Sequence, residues 1–309
     1  MKQTVSQTLK SSDTEEFIDI YFYRRIGYWV ARASAAVGIT PNAITIVSIF
    51  WGILAGHLMM YEDIWINLLG VLSLIIANTL DSADGQLARM TNNKTRLGRI
   101  LDGLAGNIWF VSIYIHLGLR MQNEGMGSWI WLLGAFTGLC HVFQAAIADY
   151  YRNGHLFFIK GEGGSEFDNS QSMQKLSKSL SWKKEFFYKL FMSSYVNYTR
   201  EQELFTRHMG LLITKVRDAY PSGVPLWLST GFGTDNKPLM KYTNILSFNT
   251  RAIALFVAVL SGIPIGYWIF EFTVLNIVLI YMVWQQEKIS MRYINLVDNN
   301  IATTDGNEE

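Results

Sequence analysis

Asp81-Ser82-Ala83-Asp84-Gly85-Gln86-Leu87-Ala88-Arg89, then eight residues, Gly98, three more and Asp102, is the stretch on which the reading of this chain turns. It follows directly on a long apolar run. An ionised carboxylate at the edge of such a run is expensive unless a cation or a water-filled cavity takes up its charge. Asp81 and Asp84 stand at i and i+3, so a helix puts them on one face. Gly85 and Ala88 on the neighbouring face lack bulk and let a ligand approach the backbone. Arg89, one turn after Gly85, offers a planar donor suited to phosphate oxygens. The polar connection Thr91-Asn92-Asn93-Lys94-Thr95-Arg96 leads to the next helix, where Asp102 can fold back toward the first two aspartates. Three hard oxygen ligands in one small volume suit Mg²⁺ or Mn²⁺ with a diphosphate, not zinc.

Outward from this stretch the chain reads as a membrane protein. Half of its residues are hydrophobic, 17% are charged and 14% are aromatic, more apolar surface than a soluble domain of 309 residues needs to bury. Six apolar stretches, approximately 41–60, 64–89, 98–119, 127–150, 245–263 and 266–286, meet or approach the roughly 20 residues that cross a bilayer. Thr40 as N-cap with Pro41 at the first helical position starts the first span, and Tyr61-Glu62-Asp63 turns it into the second. The fold class expected is therefore an all-α integral membrane protein of six transmembrane helices. Residues 1–13 are polar, with no signal-peptide pattern, and read as a disordered N-terminus. In 14–39, Phe17, Ile18, Tyr21, Phe22, Ile26, Trp29, Val30 and Ala33 recur at helical spacing, which predicts an amphipathic helix in the membrane interface. Lys and Arg concentrate in the N-terminal segment, the 90–97 connection, the 151–243 insertion and the 288–309 tail, so both termini and the carboxylate motif are expected on the cytoplasmic side. A net charge of +1 with no dense basic patch argues against nucleic acid. The single cysteine, Cys140, lies in an apolar stretch and reads as a packing residue.

The motif resembles the signature of the CDP-alcohol phosphotransferases, Asp-x-x-Asp-Gly-x-x-Ala-Arg, eight residues, Gly, three residues, Asp, three residues, Asp. Asp81, Asp84, Gly85, Ala88, Arg89, Gly98 and Asp102 occupy the family's positions in order. Thr40-Pro41-Asn42-Ala43-Ile44-Thr45, followed by Gly52 and Gly56, is a second landmark, and the resemblance covers about residues 40–150. It implies attack by an alcohol on a CDP-alcohol, with CMP leaving and two divalent ions clamping the diphosphate. Asp81, Asp84 and Asp102 would be the metal ligands. Gly85, Ala88, Arg89 and Gly98 would serve the nucleotide, with Asn42 and Thr45 as weaker candidates; Asn42 is equally readable as a first-turn helix residue. Gly52 and Gly56 form a GxxxG pair that serves close packing within one bundle or a homodimer.

The signature departs from the family at its last position, where Gly106 replaces the aspartate taken to be the general base. Such help is typically worth about 10² to 10⁴ in rate. His141, Asp149 and His155, on or just after the fourth span, are candidates for another base. The alternatives are an anionic acceptor that needs none, or a CDP-lipid-binding relative that has lost catalysis. Arg99 and Arg152 would supply positive charge for an acceptor phosphate, or serve as positive-inside anchors. The leading expectation is transfer of a phosphatidyl group from CDP-diacylglycerol to a small phosphorylated alcohol, of the inositol phosphate or glycerol phosphate class. The enzymatic alternative is CDP-choline or CDP-ethanolamine with a lipid alcohol.

Between the spans of 40–150 and those of 244–287 lies the 151–243 insertion. Gly161-Glu162-Gly163-Gly164-Ser165 reads as a flexible break and not a phosphate loop, since no strand or Gly-Lys-Ser/Thr context accompanies it. From about Leu176 to Tyr195, Leu176, Leu180, Trp182, Phe186, Phe187, Leu190 and Phe191 mix with Lys175, Lys178, Lys183, Lys184 and Lys189, a basic amphipathic helix suited to anionic headgroups. A second helix is expected over Arg200–Ala219, ended by Pro221 and Pro225. A lid, a cap on the second substrate and a dimer contact all remain open for this insertion.

Overall fold

The computed structural model describes residues 13–93, 95–165, 170–183 and 185–305. The expected disordered N-terminus thus falls almost wholly outside the described residues, as does Lys184. Among the described residues the chain is helical without a strand. Six helical segments are long and apolar enough to cross a bilayer: Pro41–Leu58, Ile64–Met90, Ile100–Asn123, Ile130–Lys160, Leu226–Leu260 and Ile265–Asn300. Their outward surfaces are apolar too. Ile46, Val47 and Phe50, Trp65, Leu69 and Leu72, Leu132, Phe136 and Leu139, and Ile277, Ile280 and Trp284 are exposed at helical spacing. An apolar outer face on each of these helices is what a hydrocarbon solvent demands and water does not tolerate, and it makes the chain a multi-pass membrane protein.

Two compact units divide the chain: residues up to Val142 with Asn249–Val274, and Phe143–Phe248 with the residues from Leu275 onward. The first contains α1 (Arg24–Ala36), α2 (Pro41–Leu58), α3 (Ile64–Met90), α4 (Arg96–Asn123) and the first half of α5 (Ile130–Lys160). Thr40 Oγ1 accepts from Ala43 N at 3.3 Å and Pro41 follows it, as the sequence predicts for the start of α2. Asp63 Oδ1 caps α3 through Trp65 N and Ile66 N. α2 packs on both α3 and α4. The GxxxG pair is used inside this bundle: a Cβ on Gly52 would stand 1.9 Å from Trp109 Cδ1, and one on Gly56 would stand 2.5 Å from Ser112 Oγ. Ser112 Oγ donates to the Ile53 carbonyl at 3.0 Å across the same seam. At the far end of the bundle Arg120, buried, donates to Glu124 Oε1 at 2.8 Å and to the Met59 carbonyl at 3.3 Å.

α1 is the amphipathic helix expected before the first span, entered through a π-helical turn at Asp19–Tyr23. Its Gly27, Ala31 and Ser34 are buried, while Phe17, Tyr21, Ile26 and Trp29 face outward. Ala31 packs with Ile44, Ala83 and Leu87, and Gln86 Nε2 donates to the Arg24 carbonyl at 3.0 Å. α1 thereby backs the face of α3 opposite Asp81, Asp84 and Gly85.

The second unit contains the rest of α5 with α6 (Ser170–Ser179), α7 (Phe186–Phe205), α8 (Arg207–Ala219), α9 (Leu226–Asn236), α10 (Met240–Ile245) and α13 (Asn276–Asp305). α11 (Phe248–Leu260) and α12 (Ile265–Phe270) belong to the first unit apart from Phe248, and a π-helical turn at Glu271–Leu275 joins α12 to α13. Helix boundaries differ from the sequence reading in five places. α5 runs ten residues beyond 150, because Tyr151, Leu156, Phe157 and Phe158 have a core to enter, and it stops at Gly161 with φ 74°. The helix read over Leu176–Tyr195 is two helices, broken between Ser179 and Phe186. The helix read over Arg200–Ala219 is broken at Thr206, where Glu287 of α13 accepts from His208 N and His208 Nδ1, both at 2.8 Å, and caps α8. The fifth span starts earlier, since α11 alone, about 20 Å long, is shorter than a hydrocarbon core. α13 passes the expected end at 286 and carries Tyr293 onto Phe232, ring centroids 5.3 Å apart.

Candidate functional site

Three helix ends of the first unit build the site. α3 ends in a left-handed residue, Asn92 with φ 51°, and Asn93 N donates back to the Ala88 carbonyl at 3.0 Å while Thr91 N reaches Leu87 at 2.9 Å. This closure satisfies the last carbonyls and reverses the chain. Thr95 then caps α4, accepting from Gly98 N at 2.9 Å. The reversal sets Asp102, in the second turn of α4, opposite the last turns of α3.

The carboxylates meet as the spacing predicts. Ligand oxygens from Asp81, Asp84 and Asp102 all lie within 4.8 Å of one another. They form a graded set: Asp84 is buried at 3% exposure, Asp81 is half-buried and Asp102 is exposed. Thr45 Oγ1, itself buried, donates to Asp84 Oδ2 at 2.5 Å and fixes the innermost carboxylate. Asp102 and Arg89 act on Asp84 with opposite electrostatic sign. Arg89 folds back over Gly85, so that a Cβ on Gly85 would stand 3.4 Å from Arg89 Nη1. Ala88 is half-buried on the same rim. Asn42 lies against Gly98: a Cβ there would be 2.9 Å from Asn42 Oδ1 and 2.9 Å from Thr95 Oγ1. The first turn of α2 therefore reaches both halves of the motif, through Thr45 to α3 and through Asn42 to α4.

A divalent metal fits this donor set. Three carboxylates share a small space at the mouth of an apolar bundle, and without a cation their mutual repulsion would oppose the fold. The donors are all carboxylate oxygens, the ligand type that hard divalent ions take.

Gly106, one turn beyond Asp102, faces open space, with no atom within 4 Å of a Cβ built there, and the same holds for Gly103. Of the three alternative bases, His141 stands in a buried ion network of the first unit. His141 Nδ1 is 2.7 Å from Glu271 Oε1 and 2.9 Å from Arg251 Nη1; Arg251 pairs with Glu271, and Tyr114 OH donates to Glu271 Oε2 at 2.5 Å. Asp149 and His155 belong to the second unit. Asp149 Oδ2 accepts from Asn153 Nδ2 at 3.2 Å, and His155, fully buried, has its Nδ1 3.3 Å from Asn236 Nδ2. Arg152, also in the second unit, donates to the Thr243 carbonyl at 3.4 Å and to Ser247 Oγ. Arg99 lies on α4, with its side chain outside the described residues.

The Arg251–Glu271 pair is what reading the sequence missed. Its signal was present: one cation and one anion, each alone in an apolar segment, are partners to be sought within the bundle.

The fold and these carboxylates define an integral membrane protein with a cluster of three oxygen-donor side chains at one end of a helical bundle. Residues 38–154 match the family model of the CDP-alcohol phosphatidyltransferases. An archaetidylinositol phosphate synthase of Pyrococcus horikoshii is 29% identical over 107 residues, which are 35% of this chain and 55% of that protein. The chain thus matches about half the length of that curated relative. No solved structure matches it significantly.

Proposed function

We propose that the protein is a phospholipid-synthesising transferase that moves a phosphatidyl group from CDP-diacylglycerol to a small phosphorylated alcohol, releasing CMP. The observation that carries this reading is the convergence of Asp81, Asp84 and Asp102 within 4.8 Å, inside the matched family region. Asp81, Asp84 and Asp102 would hold Mg²⁺ or Mn²⁺, two ions on the family pattern, which when bound neutralise the diphosphate and the charge growing on the leaving phosphate. Thr45 keeps Asp84 aimed at the ion. Arg89, laid across Gly85, offers its guanidinium to a phosphate or to the nucleotide, while the low relief at Gly85 and Ala88 admits the cytidine. The acceptor hydroxyl oxygen attacks the lipid-side phosphorus, the bond from that phosphorus to the CMP oxygen breaks, and the hydroxyl proton leaves.

The open space at Gly103 and Gly106 supports an acceptor larger than a bare alcohol, and a phosphorylated one can take the proton on its own phosphate in place of the missing carboxylate. The similar archaeal protein is named as a synthase of an inositol phosphate lipid, and the inositol phosphate or glycerol phosphate class is proposed for this chain. Arg99, at the start of α4, is the proposed contact for that phosphate. His141, Asp149 and His155 already have close partners, which supports a structural use of each over service as the base. The positive-inside bias supports a cytoplasmic site and cytoplasmic termini, the side on which CDP-linked donors are available.

The test is CMP release by the purified protein in lipid nanodiscs, with Mg²⁺ or Mn²⁺, CDP-diacylglycerol and a panel of phosphorylated and neutral alcohols. Release dependent on a phosphorylated acceptor is expected. Release with CDP-choline and diacylglycerol instead would replace the proposed substrates. CDP-lipid binding without turnover on any acceptor would make the protein a binding relative.

A further inference from the structure

We propose that α6 and α7 form a membrane-surface hairpin, with the outward face of α7 lying in the headgroup–acyl boundary of an anionic leaflet and the lysines of α6 and of the connection resting on its phosphates. The inference concerns the second unit alone and stands apart from the transfer reaction.

Helix α7 has two unlike sides. Met192, Val196, Thr199 and Gln202 are buried on one. Phe186, Leu190, Asn197 and Leu204 fall within about 40° of one another on the helical wheel and are exposed on the other, Leu204 to 73%. A helix that keeps its inner face dry and still presents Phe and Leu outward has either an apolar medium or a partner over that face.

The position of its C-terminal end identifies the medium. Gln202 Nε2 donates to the Ala146 carbonyl at 2.9 Å, and the Phe205 ring meets Phe143 with centroids 5.3 Å apart. Both contacts are on the membrane-spanning helix α5, whose residue Ala146 is about 24 Å along the axis from Ile130. That lies inside the roughly 30 Å hydrocarbon thickness measured from the same end. Leu204 and Phe205 are therefore held level with the lipid boundary by hydrogen bonding and ring contact to a span.

The other end of the hairpin carries the charge. Lys175, Lys178 and Lys183 are exposed, and the exposed Trp182 has the Lys189 ammonium 5.1 Å from its ring centroid. Glu185, the acid of this turn, bends back to accept from Ser181 N at 3.1 Å. The Lys189 ammonium, half-buried, also donates to the Leu180 carbonyl at 2.7 Å and holds the exposed Trp182 ring beside it, and an exposed tryptophan flanked by lysines suits a headgroup layer. Lysines near an anionic surface add electrostatic attraction that fades within a Debye length.

The experiment uses the full chain in nanodiscs, with Cys140→Ser as background and an environment-sensitive fluorophore on Leu190→Cys, Leu204→Cys or, as a control on α8, Asp218→Cys. Discs contain phosphatidylcholine alone or with phosphatidylglycerol, and each is quenched by brominated lipid and by aqueous iodide. Blue-shifted emission, quenching by brominated lipid and protection from iodide are expected at positions 190 and 204, and the reverse at 218. Position 190 should lose lipid quenching when phosphatidylglycerol is omitted, in high salt, and in the Lys175→Glu, Lys178→Glu, Lys183→Glu combination. Iodide quenching at 190 and 204 equal to that at 218 would overturn the proposal. Protection from both quenchers would overturn it in favour of a protein partner or a second copy. Lipid quenching at 190 indifferent to phosphatidylglycerol and to the lysines would overturn the anionic leaflet.

Discussion

Replacing Thr45 by Val tests whether the buried carboxylate works because it is held. The substitution keeps the volume of the side chain and removes the hydroxyl that donates to Asp84 Oδ2 at 2.5 Å. Asp84 is 3% exposed, so water cannot readily take the place of the lost donor. A hydrogen bond to a charged group contributes about 1.5–3 kcal/mol, which at about 1.4 kcal/mol per decade is roughly a 10- to 100-fold change. The same range, about 10- to 100-fold, describes the loss of an outer partner of a metal ligand. Mn²⁺ affinity in nanodiscs containing CDP-diacylglycerol, read from the electron paramagnetic resonance signal of the free ion, should fall by this factor in Thr45→Val and largely recover in Thr45→Ser. The reading needs no turnover, so it holds whether or not Gly106 leaves the protein active. Unchanged Mn²⁺ affinity in a folded, monodisperse Thr45→Val protein would refute the reasoning, because the hydroxyl would then have no part in presenting Asp84.

Asp84→Asn should abolish metal-dependent CDP-lipid binding, and retained Mn²⁺-dependent affinity in a folded variant would sink the metal assignment. Gly106→Asp has room, with no atom within 4 Å of its Cβ; turnover should rise, by up to about 10²-fold where a base is limiting, and a fall would mean that the open space accommodates the acceptor. Gly52→Ala drives a methyl onto the Trp109 ring, and a lowered thermal midpoint is expected, as overpacking costs about 1–3 kcal/mol or more; an unchanged midpoint would show that α2 and α4 are not locked there. Glu271→Gln should destabilise the bundle by up to about 3–5 kcal/mol, leaving Arg251 without its anion, while Arg251→Met with Glu271→Gln should be far milder. Equal losses in the single and double variants would remove the case for pairing.

Much of the carboxylate cluster was legible because helix spacing and capping are local. Asp81 and Asp84 share a face by their separation alone, and Thr40-Pro41 announces the start of α2 without reference to any other helix. Asp102 needed one further inference, that a short polar connection reverses the chain. The structure shows its cause in the left-handed Asn92 and the Thr95 cap. Long-range partners were less legible. Thr45 and Asn42 carried no sign of which carboxylate or glycine they would meet, since those contacts depend on how α2 crosses α3 and α4. The break at Thr206 was hidden for the same reason: the acid that caps α8 is Glu287, 79 residues away from His208. Arg251 and Glu271 were visible as isolated charges, but their join to His141 and Tyr114 exists only once four segments of the bundle are packed.

The first turn of α2 links folding to chemistry. Thr40 caps it, Pro41 sets its direction, Asn42 fills the hollow left by Gly98 on α4, and Thr45 reaches Asp84 on α3. Two further packing contacts bear on the same turn, Ile44 joining the cluster with Ala31, Ala83 and Leu87, and Gly52 lower on the helix receiving Trp109. A bulky residue at Gly98 would therefore first displace Asn42 Oδ1 and Thr95 Oγ1 and, with greater volume, push α2 away from α4 near the level where Thr45 meets Asp84, loosening the carboxylate cluster without touching a carboxylate. Side-chain volume at position 98 should then weaken Mn²⁺ binding in step with size, Ala less than Val, while the circular dichroism of the helices stays constant. Equal affinity across that series would separate the packing of α2 from the presentation of Asp84, and leave the carboxylates positioned by α3 and α4 alone.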